Sequence, residues 1–537
     1  MNIALVSLNV SYIHKNLALR WLYVAKPAHL DAKLYEYTTK QVDLCAAKII
    51  EDKPDVVGLS TYIFNVEATK ALILKLKHSL PKVRIYLGGP EATANPDPLW
   101  DYPIDGILMG EGEFSFWKAV EGEYTAGLQS SRGASSSVLR TPLLELERLE
   151  SPYFLDFDRE DMGKRYLYAE TSRGCPYGCA YCMASLDRQV RLFSEDYMDS
   201  FFDQLKDTQV KQVKYLDRTF NVDPKRALRL GKQCLSMPEA MQFHVELVGD
   251  TLHPSLIDFF KVDAVKRFRM EIGVQSFQKK TLEAVGRPCD LDKLSTVIRD
   301  FAQAGAHQHT DLIAGLPFEG LDLFKESYRK LIHLEPFEIQ VGILKLLHGT
   351  VLHSFKDVYG YAAEPIAPYQ ITRSKWMDKV DIEAVEAVAL ATEKCYNSGR
   401  LKKELDAWFK QDVEPFDMMY KIGKALMTLA HPYQIRAFYL SIYEAIRDIH
   451  DEARAFVEEA YYRQNKTRPS LLFPMEIDLE TCKRLSQRDE RIHHAILIKQ
   501  KDIIKAVLYV HQAQIWFDCT EEGEIINEVT LSYTKSQ

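Results

Sequence analysis

The stretch Arg173-Gly174-Cys175-Pro176-Tyr177-Gly178-Cys179-Ala180-Tyr181-Cys182 decides how this chain is read. It places three cysteines at C-x3-C-x2-C spacing directly after an apolar run at 166–170 that has the length of a short strand. Three thiolates on one short loop can bind three irons of a [4Fe–4S] cluster and leave the fourth iron open to an outside ligand. A structural cluster or a closed zinc site normally takes four protein ligands, so the alternative is a zinc loop completed by a distant Cys or His. Gly174, Pro176 and Gly178 suit a tight loop wrapped around an inorganic core. The other six cysteines, at 45, 234, 289, 395, 482 and 519, are scattered singly. That scatter fits buried thiols in a reducing compartment better than a disulfide framework.

Downstream of the loop, apolar runs recur at 212–216, 242–248, 267–274, 309–314 and 338–344, most of them separated by a helical stretch. With 166–170 they make six strand–helix units, the pattern of a parallel barrel or part of one, whose active site lies at the C-terminal strand ends. Those ends are polar. They carry Asp217, Arg218 and Asn221, then His244 and Glu246, then Gln275, and polar groups at one end of a barrel converge on a pocket. Each has a plainer alternative: Asp217 or Asn221 as a helix cap, Arg218 in an ion pair, Glu246 or Gln275 in a polar layer inside the barrel.

Upstream, the first 120 residues alternate strands at 3–6, 55–60, 83–87 and 104–109 with helical stretches such as 68–80, the signature of a doubly wound α/β domain. Such a domain binds its ligand at the carboxyl ends of its strands. Here those ends read Gly58-Leu59-Ser60-Thr61, Gly88-Gly89-Pro90-Glu91 and Gly110-Glu111-Gly112-Glu113. Neither G-x-G-x-x-G after the first strand nor a P-loop lysine motif is present, so nicotinamide and ATP binding are unsupported. A Ser/Gly-rich stretch at 124–141 marks a linker and a domain boundary. Beyond residue 370 the pattern is mainly helical, at 382–394, 401–410 and 432–463, and strands at 496–498, 506–510 and 513–517 form a β-rich tail.

The chain of 537 residues, 46% hydrophobic and 27% charged, has the composition of several globular domains. Its formal net charge of −8 presents no basic field to nucleic acid. No run reaches the ~20 apolar residues of a membrane-spanning helix, and the first residues lack a leader pattern, so the expected location is the cytoplasm.

On the cysteine loop and its place before the barrel units, the chain resembles the radical S-adenosylmethionine superfamily. On the Gly-Leu-Ser, Gly-Gly-Pro-Glu and Gly-Glu-Gly-Glu loops upstream, it resembles the subgroup with a cobalamin-binding domain, and its last third resembles an uncharacterised extension found on some of these proteins. The resemblance implies a Rossmann-like cobalamin domain over 1–122, a linker over 123–160, a partial (βα)6 TIM-type barrel over 161–370 and a C-terminal extension over 371–537. It implies Cys175, Cys179 and Cys182 as cluster ligands, with S-adenosylmethionine on the open iron and Tyr181 near the adenine. Asp217, Glu246 and Gln275 would contact S-adenosylmethionine or substrate and carry the catalytic roles, and Ser60, Thr61, Gly88, Gly89 and Pro90 would line the groove for the nucleotide tail of cobalamin.

The D-x-H-x-x-G loop that gives cobalt a histidine in methionine-synthase-like domains is absent. His14 follows the first strand without the flanking Asp and Gly, so base-off cobalamin without a protein histidine is expected. The implied function is methyl transfer to an unactivated centre of a small molecule or peptide, through methylcobalamin and a 5′-deoxyadenosyl radical, with a reductant such as flavodoxin or ferredoxin. The alternatives are a radical rearrangement or cyclisation with cobalamin as electron relay, and a non-catalytic cobalamin or redox sensor. The aromatics Trp376, Trp408, Tyr461, Tyr462 and Trp516 are expected in the core, and 365–369 is expected as a lid near the barrel mouth.

Overall fold

Uninterrupted apolar runs such as Val56–Ser60 become strands buried on both faces, as a parallel sheet between two helix layers requires. The computed structural model describes all residues except 124, 133–139, 412, 450, 475, 476, 478, 511, 512, 521, 523 and 533–537. It divides into one unit of Met1–Gly320 with Ile343–Lys379 and a second of Leu321–Gly342 with Val380–Gln537.

The first sheet contains β1 (Asn2–Asn9), β2 (Asp31–Thr38), β3 (Val56–Ser60), β4 (Arg84–Gly88), β5 (Gly106–Leu108) and β6 (Leu128–Gln129). Their order is β2-β1-β3-β4-β5-β6, with β1 to β5 parallel and β6 antiparallel to β5. One face packs on Ile49, Leu72, Ile73 and Leu76 and the other on Leu19, Phe116, Trp117 and Val120. The doubly wound expectation is met, with strand order reversing between β1 and β3, where this topology places its ligand crevice. β2 is an element that the apolar-run reading missed.

The barrel strands are β7 (Leu167–Ala169), β10 (Gln212–Tyr215), β11 (Gln242–Leu247), β12 (Phe268–Gln275), β13 (His307–Ala314) and β14 (Glu338–Ile343). β7, β10, β11, β12 and β13 pair in parallel in that sequence, and past β14 the Leu344 amide donates to the Ala314 carbonyl at 3.0 Å. All six expected strands form. Helices Glu195–Leu205, Pro224–Ser236 and Leu291–Gln303 cover the outside. The cysteine loop lies between β8 (Ser172–Arg173) and β9 (Arg191–Leu192), an antiparallel ribbon. A second ribbon, β15 (Ala362–Ala363) with β16 (Ile371–Arg373), follows the barrel.

Part of the expected linker, Tyr124 and 133–139, lies outside the described residues. The rest is built into the fold: Thr141 donates its amide to Met109, and Leu146, Leu149, Tyr153 and Asp158 are buried.

The second unit has a helical layer and an antiparallel sheet, β17 (Ile496–Gln500), β18 (Ile503–Val510), β19 (Ala513–Thr520) and β20 (Ile525–Ser532), in that order. The helices pack closely at Gly423, where a Cβ would meet the Ala387 carbonyl. The amphipathic stretch 432–463 is two helices, Ile435–Ile446 and Ala453–Gln464, not one. Trp408 stacks on Phe456 at 4.1 Å, and Tyr461, Tyr462 and Trp516 are buried, so these four aromatics are core as expected, whereas Trp376, in the first unit, is half-buried against Phe318 and Tyr359.

Candidate active site

The cysteine loop is shaped by its backbone. Gly174 has φ +88°, and a Cβ there would stand 2.2 Å from the Gln189 carbonyl oxygen, so only glycine fits. The Cys175 amide donates to Asp187 at 2.9 Å, the Cys182 amide to Cys179 at 3.1 Å and the Ala180 amide to Val285 at 2.8 Å. Cys175 and Cys179 are buried and Cys182 is half-buried, its thiol pushed up by burial. Thr219 Oγ1 stands 3.8 Å from Cys175 Sγ, and Arg287 Nη1 reaches Cys179 Sγ at 3.8 Å. Three thiols on a glycine-permitted loop, two buried and one half-buried, fit a cluster with one open iron.

The polar strand ends separate into distinct roles. Asp217 is fully committed as a brace: Oδ1 accepts from Thr171 Oγ1 at 2.5 Å and Ser172 Oγ at 2.6 Å, and Oδ2 from the Thr171 amide at 2.8 Å. It therefore braces the chain that enters the cysteine loop. Asn221 clamps both the amide and the carbonyl of Val248 at 3.0 Å, while Asp223 caps the next helix. Glu246 is held protonated to about pH 7 by burial, aided by Glu271 and Asp217 and opposed by Arg218. Burial likewise raises Asp311, with Glu271 and Glu246 adding repulsion, and its Oδ1 is a buried acceptor without a hydrogen-bond partner among the described residues. Gln275 has φ +68° and a buried Oε1 without a hydrogen-bond partner among the described residues. Its amide stands over Gly273, where a Cβ would meet Nε2 at 2.2 Å. Strain and an unpaired buried acceptor thus coincide at this one residue. His244 pairs with Glu271 at 3.1 Å, inside the barrel.

A cavity of about 650 Å³ begins at Gly58 and Phe116 inside the first sheet and reaches Ser172, Gly174 and Arg218 at the barrel. Ser60, Gly88, Gly89 and Pro90 are among its wall residues; Thr61, Tyr181, Glu246 and Gln275 are not. Thr61 joins the strand ends instead, donating its amide to Gly88 at 2.7 Å and accepting from Glu91 at 3.2 Å. Gly89 has φ +103°, and a Cβ would come 2.7 Å from the Thr61 carbonyl oxygen. Residues that sequence reasoning did not single out also line the cavity: Asn16, Trp21, Tyr62, Phe64, Tyr168 and Glu170. Tyr62 and Phe64 stack at 5.1 Å with Phe64 exposed, a pattern that the run Thr61-Tyr62-Ile63-Phe64 at a strand end signals. His14 is on the wall as well, its Nδ1 2.6 Å from Tyr168 Oη, and burial with Lys214 and Arg165 nearby keeps its imidazole neutral. An apolar cleft ending in small residues fits a large flat ligand with a polar tail.

Arg173 ties the two halves together. Its guanidinium meets Glu111 at 3.1 Å, Glu113 at 2.8 Å and Glu170 at 3.0 Å, and stacks on Trp21. Tyr369 Oη, in the expected lid segment, donates to Glu91 at 2.5 Å, so 365–369 straps the barrel end to the first domain.

Comparison with known proteins agrees with this arrangement. Residues 3–117 match the B12 binding domain, 169–331 the Radical SAM superfamily and 357–524 a protein of unknown function, DUF4080. The chain is 26% identical over 345 residues to the cobalamin-dependent radical SAM methyltransferase TokK of Streptomyces tokunonensis, covering 58% of this chain and 50% of that protein. It is 24% identical to the 2-(S-pantetheinyl)-carbapenam-3-carboxylate methyltransferase of Streptantibioticus cattleyicolor, with 58% and 50% covered. The chain thus spans about half the length of these curated relatives. Among solved structures it shares its fold with the cobalamin-dependent S-adenosylmethionine radical enzyme OxsB (TM-score 0.59, 15% identity, 86% of this chain and 83% of that one). It also shares it with the radical S-adenosylmethionine methyltransferase TsrM of Kitasatospora setae (TM-score 0.53, 16% identity, 68% and 79%). Among the described residues, no helix is long and apolar enough to cross a membrane. The chain thus carries a B12 binding domain, a Radical SAM superfamily domain and a C-terminal DUF4080 region, and the cofactors that go with these domains are a [4Fe–4S] cluster, S-adenosylmethionine and cobalamin.

Proposed function

We propose that the protein is a methyltransferase that uses cobalamin and radical chemistry on an unactivated centre of a small molecule or peptide. The observation that carries this reading is the single cavity running from the glycine-bearing strand ends of the first sheet to Gly174 of the cysteine loop. Two separate cofactor sites without a shared space would serve binding alone.

Cys175, Cys179 and Cys182 would hold the cluster, Tyr181 would stand near the adenosyl part of S-adenosylmethionine, and Gln275, whose Oε1 has no hydrogen-bond partner among the described residues, would accept from that ligand or from substrate. When bound, these groups supply a 5′-deoxyadenosyl radical from one molecule of S-adenosylmethionine and a methyl group carried through cobalamin. The protein's own work is placement and exclusion of water. Ser60, Gly88, Gly89 and Pro90 let the nucleotide tail approach the backbone, and Tyr62 with Phe64 offers an aromatic surface at the mouth of the cleft. Glu246, protonated up to about pH 7, can donate a hydrogen bond that an ordinary carboxylate cannot. Electrons come from a small low-potential carrier such as flavodoxin or ferredoxin.

The test is anaerobic reconstitution with iron, sulfide and cobalamin, followed by turnover over a cell metabolite extract with S-adenosylmethionine labelled in its methyl group. Formation of 5′-deoxyadenosine, S-adenosylhomocysteine and a labelled product is expected. The reading fails if no labelled product forms while S-adenosylmethionine is cleaved, or if the Cys175→Ala, Cys179→Ala, Cys182→Ala triple variant keeps its cluster and activity.

A further inference from the structure

Arg287 sits on the segment that follows the fourth barrel strand and its helix, and that segment is fastened to the cysteine loop at three points. The Ala180 amide donates to the Val285 carbonyl at 2.8 Å. Gly286, at φ +67°, passes so close to Gly178 that a Cβ would stand 3.0 Å from its carbonyl oxygen. Arg287 itself spans the gap, donating from Nη2 to the Gly273 carbonyl at 2.7 Å and from Nη1 to Cys179 Sγ at 3.8 Å.

The chemistry of this arginine differs from that of its neighbours. Arg173 and Arg191, which flank the same loop, spend their guanidinium groups on carboxylates, Glu111 above all. Arg287 spends one nitrogen on a main-chain carbonyl and turns the other to a thiol. Arg287 is half-buried, and a charge partly withdrawn from water is retained where something nearby carries the opposite sign. Cys179 becomes a thiolate once it is a cluster ligand, and Nη1 then makes a charge-assisted N–H···S hydrogen bond.

We propose that Arg287 sets the reduction potential of the cluster. One-electron reduction by a low-potential donor adds one negative charge to the cluster and releases no proton, so a fixed cation beside it stabilises the reduced form more than the oxidised form. Removing that cation makes the cluster harder to reduce. Arg287 is a positioning residue here: it acts through Cys179 and is not required to touch S-adenosylmethionine. The inference rests on the cluster assignment above and on no assumption about the substrate.

The experiment is a potentiometric titration of the full-length reconstituted protein with dithionite and redox mediators, without S-adenosylmethionine, read by the electron paramagnetic resonance of the reduced cluster. Arg287→Met is expected to shift the midpoint to more negative potential and Arg287→Lys to shift it less. Arg188→Met, which removes an exposed arginine that reaches Pro176 of the same loop, is expected to leave it in place because water screens that charge. The proposal is overturned if Arg287→Met, with iron content equal to the wild type, has an unshifted or more positive midpoint. It is overturned equally if Arg188→Met shifts as far.

If Arg287→Met fails to take up iron, reduced wild-type protein carrying arginine labelled with 15N in the guanidinium decides. A 15N coupling to the cluster by electron–nuclear double resonance, lost in Arg287→Lys, which places no labelled nitrogen there, supports the proposal, and no coupling overturns it. A wild-type protein that shows no cluster signal at all would instead remove the cluster assignment itself.

Discussion

Burial lifts the Glu246 carboxyl from its ordinary 4.5 to about 7, and this has a thermodynamic consequence. Between those values the folded protein holds a proton that the unfolded chain has lost. Stability is therefore fully present below about 4.5 and is lost as pH rises through 7. The size is on the order of 3 kcal/mol at one pH unit per 1.4 kcal/mol. Glu246→Gln removes the titration, so its denaturation midpoint in urea is expected to exceed that of the wild type at pH 8 and to converge with it near pH 5. Asp217 predicts the opposite kind of outcome. Its carboxylate accepts three hydrogen bonds at the entrance to the cysteine loop. Asp217→Asn substitutes a donor for one acceptor and leaves a buried hydroxyl unpaired, costing about 1–3 kcal/mol. Iron bound per chain after reconstitution is expected to fall with it, measured by colorimetric iron and sulfide assay. Both residues were legible in the sequence as polar ends of apolar strands, but their roles were not. Asp217 is defined by partners 45 and 46 residues upstream, and Arg287 by a sulfur 108 residues away, contacts that no local pattern encodes.

At the scale of elements, the join between β3 and β4 is the place where one atom decides ligand access. Gly89 combines φ +103° with a carbonyl oxygen 2.7 Å from where a Cβ would be. Gly89→Ala forces that backbone apart at a cost of about 1–3 kcal/mol. Hydroxocobalamin affinity, followed by absorbance titration, is expected to weaken about tenfold. Cluster iron should stay at the wild-type level, because the cysteine loop depends on Gly174 and Gly178 instead. Glycines of this kind were readable because they interrupt strand ends in a fixed order, and the strands were readable because burial on both faces demands continuous apolar runs. The elements that were missed lack that demand. β2 is a sheet-edge strand with the half-exposed sequence Asp31-Ala32-Lys33-Leu34-Tyr35-Glu36-Tyr37-Thr38. β20 is exposed along nearly all of its length, so its residues carry almost no burial signal. The helical stretch 432–463 kept its amphipathic period across the break after Ile446, and periodicity alone does not register a turn between two helices of the same character.

At the scale of the molecule, the cobalamin domain and the barrel form one compact unit, although composition divides them at a Ser/Gly-rich stretch. The reason is a buried ionic cluster between segments far apart in sequence. Asp158 receives Arg20 through two bonds of 2.7 Å and Lys15 at 2.8 Å, while Glu36 receives Arg20 at 2.9 Å and Arg165 at 3.1 Å. The members bracket one another. Against the upward push of burial, Arg20 holds the Asp158 and Glu36 carboxyls below their ordinary values, and they in turn keep Arg20 charged in spite of its burial. Such a network contributes less through its net energy than through the cost of breaking it, because removing one partner strands the others. Asp158→Ala leaves Lys15 and Arg20 facing each other without a shared anion, and a loss of about 3–5 kcal/mol is expected. The same change slackens the chain that leads into β7 and the cysteine loop. Its functional signature therefore differs from that of Gly89→Ala: cobalamin affinity and cluster iron should decline together, with a lowered thermal midpoint by calorimetry. An Asp158→Ala protein that loses stability yet binds cobalamin and cluster as the wild type does would mean that the two cofactor sites are set independently. The cavity joining them would then be a consequence of packing rather than a condition for it.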